Sequence, residues 1–456
     1  MSPSENKTIF APATLVGESS ITVTRISGKD TFSILTKIFS LSGEAFKCID
    51  FTRRQTHSAH HGYIFDDKEI IDEVVATIFK SPNSYTGEDV AEISLHGGSY
   101  IFRKLNGLLS KHGAVFAEPG EFTKRAFLNG KLDLSQAEAV ADLIRSKTEL
   151  ASKAAMKQLK GSLSVYIKSL RDELINYCSL VELELDFSEE DLEIVPKKVL
   201  LSKIDNIMQN IVNLSQSYES GKIIRDGVNL TIAGKPNVGK SSIFNYLLKE
   251  SRAIVSEIPG TTRDYLQEPL IMGGIVFNLV DTAGIHDSGD LIEKEGVRRS
   301  HAKIAESDIT LHVIDLTDEK TVDKKHTLKV GDNSRVLTVY NKCDLNPTQV
   351  DYGLCVSALT GENMNELQCR VIELARTLIR GSEGMEILIT NERHRDCLLK
   401  SCEYLVNCKN LILSNAGNEL ISFEIREAMR QLEEIIGKTT NVDILNNIFS
   451  KFCIGK

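Results

Sequence analysis

Apolar positions follow a different period in successive stretches of the chain. Up to about residue 121, short β-rich runs at 20–26 and 90–95 alternate with turn clusters at Ser81-Pro82-Asn83-Ser84 and His96-Gly97-Gly98. That mixture predicts an α+β domain. Across residues 122–218, Leu163, Ile167, Leu170, Leu174, Tyr177, Val181 and Leu185 recur at three- and four-residue steps, which predicts two or more long helices. From 228 to about 380, strand-like and helix-like segments alternate, the signature of a doubly wound parallel sheet. Helical periodicity returns over 391–449, marked by Leu398, Leu405, Leu411, Leu420, Ala428, Leu432 and Ile435.

The fold class expected is therefore multidomain α/β, with an N-terminal domain over 1–121, helical parts over 122–222 and 382–456, and an α/β domain over 223–381 between them. One discontinuous all-helical domain carrying the α/β domain as an insertion fits this order. Two separate helical domains satisfy the same periodicity. The segment 57–61, His57-Ser58-Ala59-His60-His61, reads as a polar loop, because no acidic or thiol partner stands at a metal-ligand spacing. The acidic run over 182–193 reads as a solvated helix end and loop.

At 456 residues the chain exceeds one ordinary core, and 41% hydrophobic content suffices to fill several. No apolar run approaches a bilayer-spanning length, and residues 1–12 lack a basic-then-apolar leader, so no membrane association and a cytoplasmic location are expected. Nine cysteines without a C-x-x-C pair read as reduced thiols rather than a zinc site or disulfide framework. With a net charge of -9, any contact with nucleic acid needs a local basic patch or a partner.

Residues 228–233 form a strand-like run that enters Gly234-Lys235-Pro236-Asn237-Val238-Gly239-Lys240-Ser241, followed by a helix-like stretch from Ser242. Strand, Gly-rich loop and helix in that order make a P-loop. Its amides cradle phosphates, Lys240 reaches the β and γ groups, and the Ser241 hydroxyl ligates Mg²⁺. A second strand-like run ends in Asp281-Thr282-Ala283-Gly284, where Asp281 holds Mg²⁺ through water and the Gly284 amide senses the γ-phosphate. A third ends in Asn341-Lys342-Cys343-Asp344, the N-K-x-D pattern of G proteins. A carboxylate at Asp344 accepts from the N1-H and exocyclic amine of guanine, which adenine does not offer. Ser357-Ala358-Leu359 follows in register as the last base-contacting loop. Together these predict a Ras-like domain with GTP as substrate.

Within Gly260-Thr261-Thr262-Arg263-Asp264, either threonine is a candidate Mg²⁺ ligand. Ile285 stands where Ras-like enzymes carry a water-orienting Gln, so another group must serve, and Asp287, Asp290, Glu293 and Glu295 are nearby. Each of these acids also suits a helix N-terminus. Asn237 offers an oxygen to a monovalent cation in place of an arginine finger, and is equally compatible with simple turn formation.

The chain resembles the MnmE (TrmE) family of tRNA-modification GTPases over essentially its full length. The P-loop and Gly-Thr-Thr-Arg-Asp place it among potassium-activated GTPases. Ser84-Tyr85-Thr86-Gly87-Glu88-Asp89, the segment from Pro119-Gly120-Glu121-Phe122-Thr123 to Asp133-Leu134, and the terminal Phe452-Cys453-Ile454-Gly455-Lys456 single out MnmE. The resemblance implies a folate-binding-like N-terminal domain that mediates homodimerisation and holds 5-formyl-tetrahydrofolate or a related folate at Arg25, Glu88, Lys131 and Lys456. It implies K⁺ at Asn237, Ser256, Ile258 and Thr261, Mg²⁺ at Ser241 and Thr262, and Glu293 as the catalytic, water-orienting group.

By the same resemblance the GTP-binding set comprises 237–242 (Asn237, Val238, Gly239, Lys240, Ser241, Ser242) and 256–262 (Ser256, Glu257, Ile258, Pro259, Gly260, Thr261, Thr262). It continues with Asp281, Thr282, Ala283 and Gly284, then Asn341, Lys342, Asp344, Ser357 and Ala358. Cys453 is the family's candidate modification thiol. His286 departs from the Arg that many members carry there. The implied activity is GTP hydrolysis in addition of a carboxymethylaminomethyl-type group to C5 of the tRNA wobble uridine, in a heterotetramer with a flavoprotein of the MnmG (GidA) type. An Era- or EngA-like ribosome-assembly switch is the alternative.

Overall fold

The computed structural model describes residues 7–44, 47–186, 196–251, 267–281, 307–317, 335–346, 350, 353–380 and 387–456. It divides into two compact units, Met1–Ala141 with Gln158–Asp172 and Arg430–Lys456, and Asp142–Lys157 with Glu173–Met429.

In the first unit, β1 (Ile9–Pro12), β2 (Ser19–Ser27), β3 (Phe39–Ser40), β4 (Ser58–Asp66), β5 (Glu69–Phe79), β6 (Val90–Gly97) and β7 (Val115–Phe116) form one sheet in the order β3-β4-β5-β6-β2-β1-β7. Its pairs are antiparallel except β1 with β7. Strict alternation sends Val74, Ala76 and Ile78 of β5 and Ala91, Ile93 and Leu95 of β6 to one face, where α1 (Thr31–Ile38) and α2 (Ser99–Lys111) cover them with Ile34, Leu35, Leu105 and Leu109. Each fully buried Val, Leu or Ile among these contributes about 1.5–3 kcal/mol. β1 is buried on both faces. Phe10 joins that core, whereas Ile9 and Ala11 pack with Ala117, Tyr85 and Phe122, the last from α3 (Glu121–Leu128).

The stretch expected as a polar loop over 57–61 is instead largely β4. The cause is a sequence that hides its alternation: the position after His61 that turns inward is Gly62, where a Cβ would lie 2.3 Å from Ser40 O, and the His60 ring packs edge-on against Phe51 at 5.4 Å. Among the described residues no group of three or more His, Cys, Asp and Glu is disposed to hold a metal.

Four helices follow: α4 (Leu134–Arg145), α5 (Glu149–Leu159), α6 (Ser162–Asp186) and α7 (Lys197–Asp226). Of the acidic run, Glu182 and Glu184 end α6, and 187–195 lie outside the described residues. In the second unit, Gly227 (φ 90) turns the chain from α7 into β8 (Val228–Ala233). With β9 (Gln267–Met272), β10 (Ile275–Asp281), β11 (Ile309–Asp315), β12 (Val336–Asn341) and β13 (Leu354–Val356) it builds a sheet in the order β13-β12-β11-β8-β10-β9. The sheet is parallel apart from the edge strand β9. Leu230, Ile232, Phe277, Leu311 and Val339 form its core with Ile243 and Leu247 of α8 (Lys240–Ser251) and Leu367 and Val371 of α9 (Met364–Ile379). Near-continuous apolar strands are what a parallel sheet covered by helices requires.

Beyond this sheet come α10 (Glu392–Leu413), α11 (Asn418–Ile435) and α12 (Val442–Ser450). Within the second unit α10 lies along α7: Ile389 N donates to Ser217 Oγ at 3.0 Å, and Lys409 pairs with Asp205 at 2.6 Å. A Cβ on Gly221 of α7 would fall 2.1 Å from Ile389 O, so glycine permits the close approach. Helices before and after the α/β sheet thus share one helical layer, as the discontinuous arrangement requires. In the first unit, Leu445, Phe449 and Phe452 at the C-terminal end pack on Leu134, Ala137 and Phe127.

Candidate nucleotide and cofactor sites

Parallel register brings the chemistry-bearing strand ends to one edge of the second unit's sheet. Asp281 pairs with Ile232, Asp315 with Asn341, and Asn341 with Val356. Ligands of open α/β sheets bind outside this carboxyl edge. The loop between β8 and α8 starts there. A Cβ at Gly234 would meet Val313 O at 2.3 Å, and one at Gly239 (φ 94) would meet Asn341 Nδ2 at 2.0 Å, so the backbone passes where no side chain fits. Lys240, buried at the helix start, donates from Nζ to Gly234 O at 2.9 Å and Lys235 O at 2.8 Å, which holds its ammonium over the loop that phosphates would enter. Val238 is buried, and Ser241, Ser242 and Asn237 are exposed. Asn237 has φ 62, a left-handed turn position that asparagine tolerates.

The segments around Asn341 and Ser357-Ala358 are tied to this loop by one side chain. Asn341, 3% exposed, donates through Nδ2 to Val238 O at 2.9 Å and accepts at Oδ1 from Ala358 N at 3.1 Å. It therefore fastens the P-loop to the Ser357-Ala358 turn. Ser357 Oγ in turn accepts from Thr360 N, which fixes that turn. Lys342 adopts φ 69 and pairs with Asp315 at 2.5 Å. Burial pushes the Asp315 carboxyl up, and the hydrogen bonds from Lys342 and Thr317 more than offset this, leaving it below the usual carboxylate range. Asp344 is exposed at the mouth of the same edge. Asp315 was not singled out by the sequence, where it is one acid at a strand end. Ser256, Glu257, Ile258, Pro259, Gly260, Thr261, Thr262, Thr282, Ala283, Gly284, His286 and Glu293 lie outside the described residues.

In the first unit a cluster of charged and aromatic side chains gathers about β2 and β6, on the sheet face opposite α1 and α2. Arg25 of β2 and Glu92 of β6 are register partners and form an ion pair at 2.8 Å. The Arg25 guanidinium also lies over the rings of Tyr85 (5.2 Å) and Phe122 (5.7 Å) and donates to Gly455 O at 3.2 Å. Lys456 is thereby held beside Arg25; its burial, and secondarily that positive neighbour, lowers its pKa. Glu88 accepts from Ser27 Oγ at 2.7 Å and from the buried Arg125 at 3.1 Å. Lys131 Nζ donates to Pro82 O at 3.0 Å, and its stem lies 3.3 Å from where a Cβ on Gly87 would stand.

Arg25 and Lys456 are thus neighbours, while Glu88 and Lys131 flank the 82–88 loop. Tyr85, Phe122 and Glu92 contact Arg25, Arg125 contacts Glu88, and none of the four was singled out in the sequence as a candidate site residue. The spacing of Glu121 and Arg125, one helical turn apart, signals their ion pair and nothing more. Cys453 is exposed, and its carbonyl accepts from Gly120 N at 3.4 Å. Among the described residues no helix is long and apolar enough to cross a membrane.

Comparison with known proteins agrees along the whole chain. The family described as the MnmE helical domain matches residues 134–453, and that described as the GTP-binding protein TrmE N-terminus matches 8–131. The chain is 42% identical to the tRNA modification GTPase MnmE of Aquifex aeolicus, covering 98% of this chain and 99% of that protein. It is 40% identical to the proteins of the same name from Thermoanaerobacter pseudethanolicus, with 98% and 99% covered, and Chlorobaculum tepidum, with 98% and 97% covered.

Proposed function

Since the chain belongs to the MnmE family, we propose that it hydrolyses GTP in the service of tRNA modification, with the wobble uridine C5 as the position modified and a carboxymethylaminomethyl-type group as the product. The observation that carries the nucleotide half is the buried Asn341 bridge, which joins the phosphate loop to the base loop in one rigid edge. An Era- or EngA-like ribosome-assembly switch is not favoured by a match that runs through 8–131 and 134–453 together.

In this reading Lys240 releases the two loop carbonyls and donates to the β- and γ-phosphates, and Asp344 accepts from the guanine edge. Glu293 orients the attacking water, a task Ile285 cannot perform. Mg²⁺ would be held by Ser241 and Thr262 and K⁺ by Asn237, Ser256, Ile258 and Thr261, and the two ions would supply positive charge to phosphate oxygens. The exposed Asn237 at φ 62 and the exposed Ser241 suit these roles.

The cluster of Arg25, Glu88, Lys131 and Lys456 receives a 5-formyl-tetrahydrofolate-type cofactor: cationic side chains suit its glutamate tail, aromatic side chains its ring, and a carboxylate its amino edge. The working assembly is a cytoplasmic homodimer joined by a flavoprotein of the MnmG type, with tRNA as substrate. Deleting the gene and analysing tRNA nucleosides by mass spectrometry tests this. Loss of the C5-modified wobble nucleoside, restored by the wild-type chain and not by a Lys240→Ala variant, supports it; unchanged wobble nucleosides would overturn it.

A further inference from the structure

One guanidinium, Arg125, serves two carboxylates. Its Nη2 donates to Glu121 Oε1 at 2.8 Å, and its Nη1 is shared between Glu88 Oε1 at 3.3 Å and Oε2 at 3.1 Å. Arg125 is 6% exposed, whereas the Glu88 side chain keeps 24% of its surface open. Glu121 is itself held on the far side, since its Oε2 accepts from Glu118 N at 2.9 Å. A second ring of bonds holds Glu88 from below: Glu88 N donates to Thr86 Oγ1, Thr86 and Ser27 hydroxyls meet at 2.7 Å, and Ser27 Oγ donates to Glu88 Oε2.

A carboxylate offers about four acceptor positions. Two donors already occupy Oε2, and Oε1 holds only the longer arm of a shared bond. Acceptor capacity therefore remains on Glu88 Oε1, in a side chain that keeps 24% of its surface open.

We propose that Arg125 is the positioning residue of this cluster, pinned by Glu121 so that Glu88 Oε1 is presented to the amino and ring N-H donors of a 2-amino-4-oxo pteridine. The inference rests on the folate reading of the first unit and adds to it the group that aims the Glu88 carboxylate. Parallel N-H donors meeting a fixed carboxylate give geometric selectivity as well as affinity. Arg125 does not itself touch the cofactor. Its role is to deny Glu88 its other rotamers, which a lysine at 125 does less well because it lacks the planar fork.

The test uses the full-length protein, 5-formyl-tetrahydrofolate, and an analogue in which the 2-amino group is replaced by methyl, with affinities from titration calorimetry and folding checked by thermal melting. Wild type is expected to prefer the amino compound by about 10-fold or more. Arg125→Gln and Glu88→Gln each remove that preference, the double variant is no worse than either single one, and Arg125→Lys and Glu121→Gln fall between. A merely structural Arg125 would weaken both compounds equally and leave their ratio intact, which overturns the proposal. Wild-type protein that binds neither compound overturns the folate reading itself, and the inference falls with it.

Discussion

Asn341 and Val238 are joined across the nucleotide edge by a buried hydrogen bond of 2.9 Å, although they stand 103 positions apart in the chain. Replacing Asn341 with alanine leaves Val238 O and Ala358 N without this partner. Buried groups stranded in this way cost about 1–3 kcal/mol each. The Asn341→Ala variant is expected to lose about 10-fold or more in affinity for both GTP and GDP, as read by a fluorescent nucleotide titration. Affinity equal to wild type would show that the P-loop holds its shape without the bridge.

Local pattern made much of this site legible. β8, the glycine loop and α8 follow one another within a short stretch, and each declares itself through apolar runs, glycine and helix period. The long-range bonds are different in kind. Nothing near Asn341 says that its amide reaches Val238, and nothing near Arg125 says that its guanidinium reaches Glu88. In the 57–61 stretch the strand was hidden because Gly62 takes an inward position and His60 replaces an aliphatic residue against Phe51. The join of α7 and α10 was open in the sequence because periodicity identifies an apolar face without naming what covers it.

In the proposed reading Asp344 accepts two hydrogen bonds from the guanine edge, so Asp344→Asn exchanges one acceptor for a donor. The variant is expected to bind GTP at least about 10-fold more weakly and to gain affinity for xanthosine triphosphate, whose 2-oxo group accepts where guanine donates. Competition of the two nucleotides for the same protein measures the ratio. An unchanged preference for GTP would remove Asp344 from base recognition.

Gly455 sits at φ 89, and a Cβ there would lie 1.9 Å from Pro12 O. Gly455→Ala therefore displaces the C-terminal turn that carries Lys456 and the carbonyl to which Arg25 donates. Faster removal of the terminal residues by carboxypeptidase is the expected outcome, along with weaker folate binding and intact GTP binding. Equal digestion rates would show that the turn absorbs the methyl group.

Two thiols of the helical layer are held protonated by burial: Cys178 is pushed up to about 11, with the Glu182 carboxylate adding to the effect, and Cys408 to about 12. An unfolded thiol ionises near pH 8.5. The stabilisation from keeping them neutral is fully present below that value and is lost as the pH rises through the folded values. Urea midpoints measured between about pH 8 and pH 11 should fall, and Cys408→Ala should flatten the slope. Exposed Cys48, Cys369 and Cys453 should react with a thiol reagent in the native protein, while Cys178, Cys397 and Cys408 should not. Parallel pH slopes for wild type and variant would contradict the burial argument.

The most direct test of the nucleotide mechanism is GTP hydrolysis by the purified chain in matched potassium and sodium buffers, with Asn237→Ala and Glu293→Ala beside wild type. The account predicts stimulation by potassium that Asn237→Ala abolishes, and turnover lowered by about 100-fold with GTP binding kept in Glu293→Ala. Equal rates in the two salts, or a Glu293→Ala variant that hydrolyses GTP as fast as wild type, would contradict it.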